Sequence, residues 1–198
     1  EIPLRLVGSE MCIRDRLRAS KPDAVFFFLP GGMGVNFIKQ FNGAGLGKDI
    51  VLLAPGFSGD EDTIGAVGAP IEGLRNTSQW AVDLDNPANR QFVADFKKAY
   101  NRSPTLYASQ GYDAAMLLDS AVRQTGGKLG ADALRPALRR ADFKSVRGDF
   151  KFNRNQYPIQ NYYLRTIEKG ADGKLANKLS GTVLTQYQDP FAAACQMK

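Results

Sequence analysis

Two short apolar runs, AVFFFLP at 24–30 and DIVLLAP at 49–55, flank a segment with helical spacing. No other feature constrains the fold as strongly. Each run has strand length and is bounded by turn residues, with Lys21-Pro22-Asp23 before the first and Gly31-Gly32 after it. A continuous apolar run of this kind predicts a strand buried on both faces. Between the runs, Val35, Phe37, Ile38 and Phe41 predict the inward stripe of a helix over 33–42. Gly43, Gly45 and Gly47 then close it. Strand, helix and strand in this order form a βαβ unit, right-handed by default.

The pattern changes along the chain. GFSGDEDT leads to a short helix over 61–67, and a third strand is expected over 73–80. Asn86 is placed to cap a helix with Pro87 at its first position. Phe92, Val93, Phe96, Ala99 and Tyr100 give that helix an apolar stripe. Further helices are expected over 109–124, ended by Gly126-Gly127, and over 132–141. After Ser145, VRGDFKFN, IQNYYLRTIEK and KLSGTVLTQY read as strands joined by the turns NRNQYP and GADGK. An α/β portion, then helices, then strands is not one closed doubly wound sheet. It reads as pieces of two lobes.

Composition narrows the chemistry. The chain has no His, which removes the commonest general base and metal ligand. Cys12 and Cys195 are its two thiols, too few without His for a standard zinc site. No G-x-S-x-G is present. The stretch Gly43 to Lys48 fails as a phosphate loop, because Asn42 stands at the first required Gly and Asp49 at the Ser or Thr. No G-x-G-x-x-G opens a helix after a strand. Asp60-Glu61-Asp62, Asp83 and Asp85 precede helices, where carboxylates serve as caps or dipole partners rather than metal ligands. No catalytic site, metal or cofactor is expected. The net charge of +6 comes from scattered bases, without the dense stripe of a nucleic-acid binder. It gives a weak bias toward anionic ligands. No apolar run approaches the ~20 residues that span a bilayer.

Ligands of open α/β sheets lie outside the carboxyl ends of the strands. Gly31, Gly32 and Met33 follow the first run, and Gly56, Phe57 and Ser58 follow the second. Glycine lets backbone N–H groups approach a ligand, and a helix N-terminus favours an anion. These six residues are therefore candidate ligand contacts, although ordinary βα turns would read the same way.

Residues 1–18 are set apart. VGSEMCIRDR resembles a recurrent translation of sequencing-adapter read-through and lacks the layout of a signal peptide. The expectation is a non-native leader, with Cys12 inside it and any export signal missing.

Four segments in order carry a resemblance: FFFLPGGMGVNFIKQF, WAVDLDNPANRQFVADF, YASQGYDAA and FKSVRGDFKFNRNQYPIQNYYLR. They resemble the type I periplasmic solute-binding proteins of ABC importers, in the branched-chain amino acid group. The last two are most similar to the subgroup that handles aromatic carboxylates. The resemblance implies a two-lobed α/β (Venus flytrap) fold with three crossovers, present here as its C-terminal half. Residues 19–82 would be the α/β portion of the second lobe, and 83–144 helices returning to the first. Residues 145–198 would be strands crossing back. The resemblance also implies that Met33 and Tyr107 are aromatic-contact positions of the ligand cleft. Gly56 or Phe57 would fall where leucine binders keep a carboxylate for the ligand's ammonium. That carboxylate is absent, although Asp60 is near, which favours a carboxylate ligand with an apolar or aromatic body over an amino acid. The implied protein is monomeric, periplasmic and not an enzyme, and it delivers its ligand to membrane permease subunits. A ligand-sensing effector domain of a regulator would share the fold.

Overall fold

The computed structural model describes residues 4–196, with side chains from residue 12 onward. The chain divides into two compact units. The first comprises residues 1–77 and 165–178, and the second 78–164 and 179–198. The polypeptide thus passes between units at 77/78, 164/165 and 178/179.

In the first unit, α1 (Leu4–Ser20) is followed by β1 (Ala24–Phe26), α2 (Gly32–Gly43), β2 (Val51–Pro55), α3 (Glu61–Val67) and β3 (Arg75–Ser78, its last residue in the second unit). Strands β1, β2 and β3 are parallel neighbours, in register Ala24 to Val51 and Leu53 to Arg75. This is the βαβ arrangement expected from the two apolar runs. Beside β3 lies the late part of β5 (Pro158–Lys169), where Ile167 exchanges backbone hydrogen bonds with Gly73 and Leu74. The core gathers Phe27, Phe37, Ile38, Phe41, Leu52, Ala54, Ile64, Leu74 and Ile167. Leu17 of α1 packs against it, and Arg18 Nη2 donates to Ala44 O at 3.2 Å.

The strands are not buried on both faces as the apolar runs predict. Among the described residues β1 has one strand neighbour, β2, and β2 buries alternate residues. Of the three consecutive phenylalanines only Phe27 is buried; Phe26 and Phe28 are exposed. A pleated strand covered by helices on one face presents every second residue to the other.

The second unit carries the helices α4 (Pro87–Tyr100), α5 (Leu106–Gln124) and α6 (Ala131–Arg140). Asn86 caps α4 as expected, its side chain accepting from Asn89 N at 2.8 Å, with Pro87 first in the helix. Thr105 caps α5 in the same way. The stripe on α4 fades toward its end: Phe92 is buried, whereas Ala99 and Tyr100 are exposed. Trp80, Phe92, Leu106, Val146 and Tyr163 form the second core. Little of VRGDFKFN becomes strand, since β4 covers only Lys151–Phe152. The reason lies at its start. The buried Asp113 of α5 accepts from Ser145 Oγ at 2.6 Å and from Val146 N at 2.9 Å, so a side chain takes the backbone donor that a ladder would use. β4 pairs antiparallel with the start of β5, and β6 (Leu175–Tyr187) also pairs with β5. The Asp-Gly signal appears as the turn between β5 and β6, closed by Gly170 N donating to Lys174 O.

Trp80 is fully buried, and its indole Nε1 donates to Asn89 Oδ1 at 2.7 Å. Asn89 Nδ2 in turn reaches the carbonyls of Leu84, Val82 and Ala81 at 3.0, 3.2 and 3.4 Å. One amide therefore satisfies the indole and the corner that leads into α4. Asn89→Ala should cost about 2–4 kcal/mol, because it leaves buried donors and acceptors without partners. Urea unfolding followed by fluorescence of the sole Trp checks this, and a loss under about 0.5 kcal/mol would contradict it.

Candidate functional site

The candidate residues fall into two groups. Gly31, Gly32, Met33, Gly56, Phe57 and Ser58 belong to the first unit, and Tyr107 to the second. The first six lie beyond the carboxyl ends of the adjacent parallel strands β1 and β2, Gly32 and Met33 already within the start of α2.

Gly31 precedes α2 with φ +59° and ψ −136°, a conformation open only to glycine. Its carbonyl accepts from Val35 N and starts the helix. Gly32 and Met33 form the exposed first turn, with Met33 50% exposed. Residues Gly56–Gly59 form a single tight helical turn after β2. The two loops touch: Phe28 and Phe57 meet edge to face, with ring centroids 5.1 Å apart and planes at 85°. Ser58 Oγ donates to Leu29 O at 3.4 Å. Phe28 is 65% exposed, so the ring pair borders solvent. Ser58 and Gly56 face inward and are buried. Tyr107, in the first turn of α5, is 60% exposed, while Tyr112 packs on Phe92 at 4.7 Å.

Behind the second loop lies a polar cluster that the sequence reading did not identify. Arg165 is fully buried. Its Nε donates to Asn76 Oδ1 at 2.8 Å and its Nη2 to Gly56 O at 3.0 Å. Asn76 Nδ2 donates to Asn177 Oδ1 at 2.9 Å. Asn177 Nδ2 donates to Gly59 O at 2.7 Å and to Glu61 Oε1 at 3.2 Å. A signal for Arg165 was present. It shares the strand face of Tyr163 and Ile167, two residues away on either side and both buried.

Of the nearby acids, Asp62 is exposed, Glu61 half-buried and Asp60 buried. Asp60 stands at the N-terminus of α3, where a dipole partner is expected, but its side chain makes no capping bond and it is 2% exposed. Glu61 Oε2 is buried with no hydrogen-bond donor facing it. Burial, and then the adjacent Asp60 carboxylate, push the Glu61 carboxyl from the usual 4.5 up to about 8. A proton on Glu61 supplies a donor where two carboxylates meet. The other acids noted in the sequence have separate partners. Asp83 accepts from Leu179 N, and Asp85 pairs with Arg90. Among the described residues, no group of three or more metal-ligating side chains comes together.

Because the folded protein holds this proton more tightly than the unfolded chain, Glu61 favours the fold at low pH. That contribution is lost as pH rises from about 4.5 to about 8. The slope is at most about 1.4 kcal/mol per pH unit, the value for a difference of one proton. Glu61→Gln should flatten this part of the pH–stability curve, measured by urea unfolding between pH 5 and 8. Parallel curves for the two proteins would contradict the assignment.

Comparison with known proteins agrees with this geometry. The Periplasmic binding protein family matches residues 13–174. The Leu/Ile/Val-binding protein homolog 6 of Brucella melitensis is 33% identical over 171 residues, covering 84% of this chain and 44% of its own length. A solute-binding protein of an ABC transporter from R. palustris, solved in complex with benzoate, is 36% identical with a TM-score of 0.81. That match covers 93% of this chain and 49% of the other. A second, from Rhodopseudomonas palustris BisB5 in complex with 3,4-dihydroxy benzoic acid, is 33% identical with a TM-score of 0.79, covering 90% and 49%. The chain thus spans about half the length of the relatives it matches. With most of the chain matched, and with its loops on the carboxyl ends of a parallel sheet, the protein belongs to the periplasmic binding protein family.

Proposed function

We propose that this protein is the extracytoplasmic solute-binding component of an ABC uptake system and that it captures a small aromatic carboxylate. The observation that carries this reading is the edge-to-face pair of Phe28 and Phe57, with the two acids that follow its turn, Asp60 and Glu61, offering no charge to a ligand. Asp60 is buried, and Glu61 holds a proton at neutral pH. A zwitterionic amino acid needs an anion for its ammonium, and burying that ammonium without one costs several kcal/mol. An aromatic acid has no such need, and its ring packs on phenylalanine edges and a methionine thioether. The two relatives bound to benzoate and 3,4-dihydroxy benzoic acid support this choice. The name of the Brucella relative is the argument for a branched-chain amino acid instead.

In this reading Phe57 and Met33 are the ligand contacts of the first unit, and Tyr107 is a ligand contact of the second. The three chain passages at 77/78, 164/165 and 178/179 act as the hinge. Ligand binding closes the protein, and the closed form delivers its cargo from the periplasm to a membrane permease. No covalent chemistry is required.

The test is isothermal titration of the protein expressed from its natural gene with benzoate, 4-hydroxybenzoate and leucine. A benzoate or hydroxybenzoate isotherm with no leucine heat is expected. Leucine binding without aromatic acid binding would overturn the ligand assignment. Tyr107→Ala should weaken aromatic acid binding about tenfold, the loss of roughly 1.4 kcal/mol of ring contact, without shifting the unfolding midpoint. Unchanged affinity would remove Tyr107 from the site.

A further inference from the structure

We propose that Arg165 is a positioning residue for the ligand surface, holding the Gly56–Gly59 turn from behind so that Phe57 stays beside Phe28. The role rests on the reading that this surface meets an aromatic acid. Arg165 is fully buried and does not itself face a ligand. It comes from β5, 109 residues after Gly56 in sequence, and reaches the Gly56 carbonyl at 3.0 Å. The other end of the turn is held by the same network, through Asn76 to Asn177 and on to the Gly59 carbonyl at 2.7 Å. Both ends of the turn are glycines, so no side chain there can anchor it by packing. Gly59 is pressed so close to Asn76 that an added Cβ would lie 2.7 Å from the amide nitrogen. The middle of the turn has the longer ties of Ser58 Oγ to Leu29 O and Thr63 Oγ1 to Phe57 O, both 3.4 Å, so the shorter bonds of the network hold its two ends. The planar fork of a guanidinium serves two acceptors at fixed separation, which a lysine ammonium on a flexible stem does not reproduce.

The test combines local amide exchange with a double-mutant cycle. Arg165→Lys should speed exchange of the 57–60 amides about tenfold or more while the amides of α2 and β1 keep their rates. A purely structural role would raise exchange across the whole unit, and unchanged 57–60 rates would overturn the proposal. For benzoate affinity, Arg165→Lys and Phe57→Ala should each weaken binding. If Arg165 acts through Phe57, the double variant should bind no more than about twofold worse than Phe57→Ala alone. Effects that multiply would overturn the proposal. Should Arg165→Lys fail to fold, Asn177→Ser breaks the Gly59 end of the network and carries the same two readouts. A wild-type protein that binds no benzoate defeats the proposed function, while the exchange rates still decide the role of Arg165.

Discussion

A guanidinium removed from water must find hydrogen bonds in the protein or destabilise the fold, and the first unit is arranged around meeting that demand for Arg165. Two of its acceptors are Asn76 Oδ1 on β3 and the Gly56 carbonyl just after β2. These ties join the late strand β5 to the loop that leaves the parallel sheet. The apolar core around Phe37, Ile38, Phe41 and Ile167 supplies the non-directional part of the stability. The polar cluster supplies direction, because a network with satisfied members tolerates few alternative geometries.

The same cluster sets the electrostatics of the surface above it. A carboxylate near the mouth of a ligand site would ordinarily attract cations and amines. Here Asp60 is turned into the protein, and the Glu61 carboxyl is held neutral by burial and by Asp60 itself. The large apolar side chains that reach solvent at this end of the sheet include Phe28 and Met33. An apolar ring surface in a protein of net charge +6 suits an organic anion better than a zwitterion.

Much of this was legible in the sequence because it depends on local signals. The βαβ order followed from two apolar runs and a helical stripe, and the start of α4 from Asn86 and Pro87. The loops carrying the candidate contacts followed from where those runs end. Other features were hidden because they depend on distant partners. FFF reads as a buried strand, but among the described residues β1 has a single strand neighbour and ends at Phe26, and two of the three rings face outward. VRGDFKFN has strand composition, yet Asp113 captures its first residues from a helix more than thirty positions earlier. Asp60 reads as a cap and is instead buried. Arg165, Asn76 and Asn177 are separated by up to 101 residues, so no spacing rule links them.

The most direct test of aromatic acid selection by the Phe28–Phe57 surface is a crystal structure. The protein should be grown with equimolar benzoate and leucine. Benzoate with its ring against Phe57, and Asp60 still buried, is the expected result. Leucine in the site, with its ammonium on an Asp60 carboxylate turned outward, would contradict it.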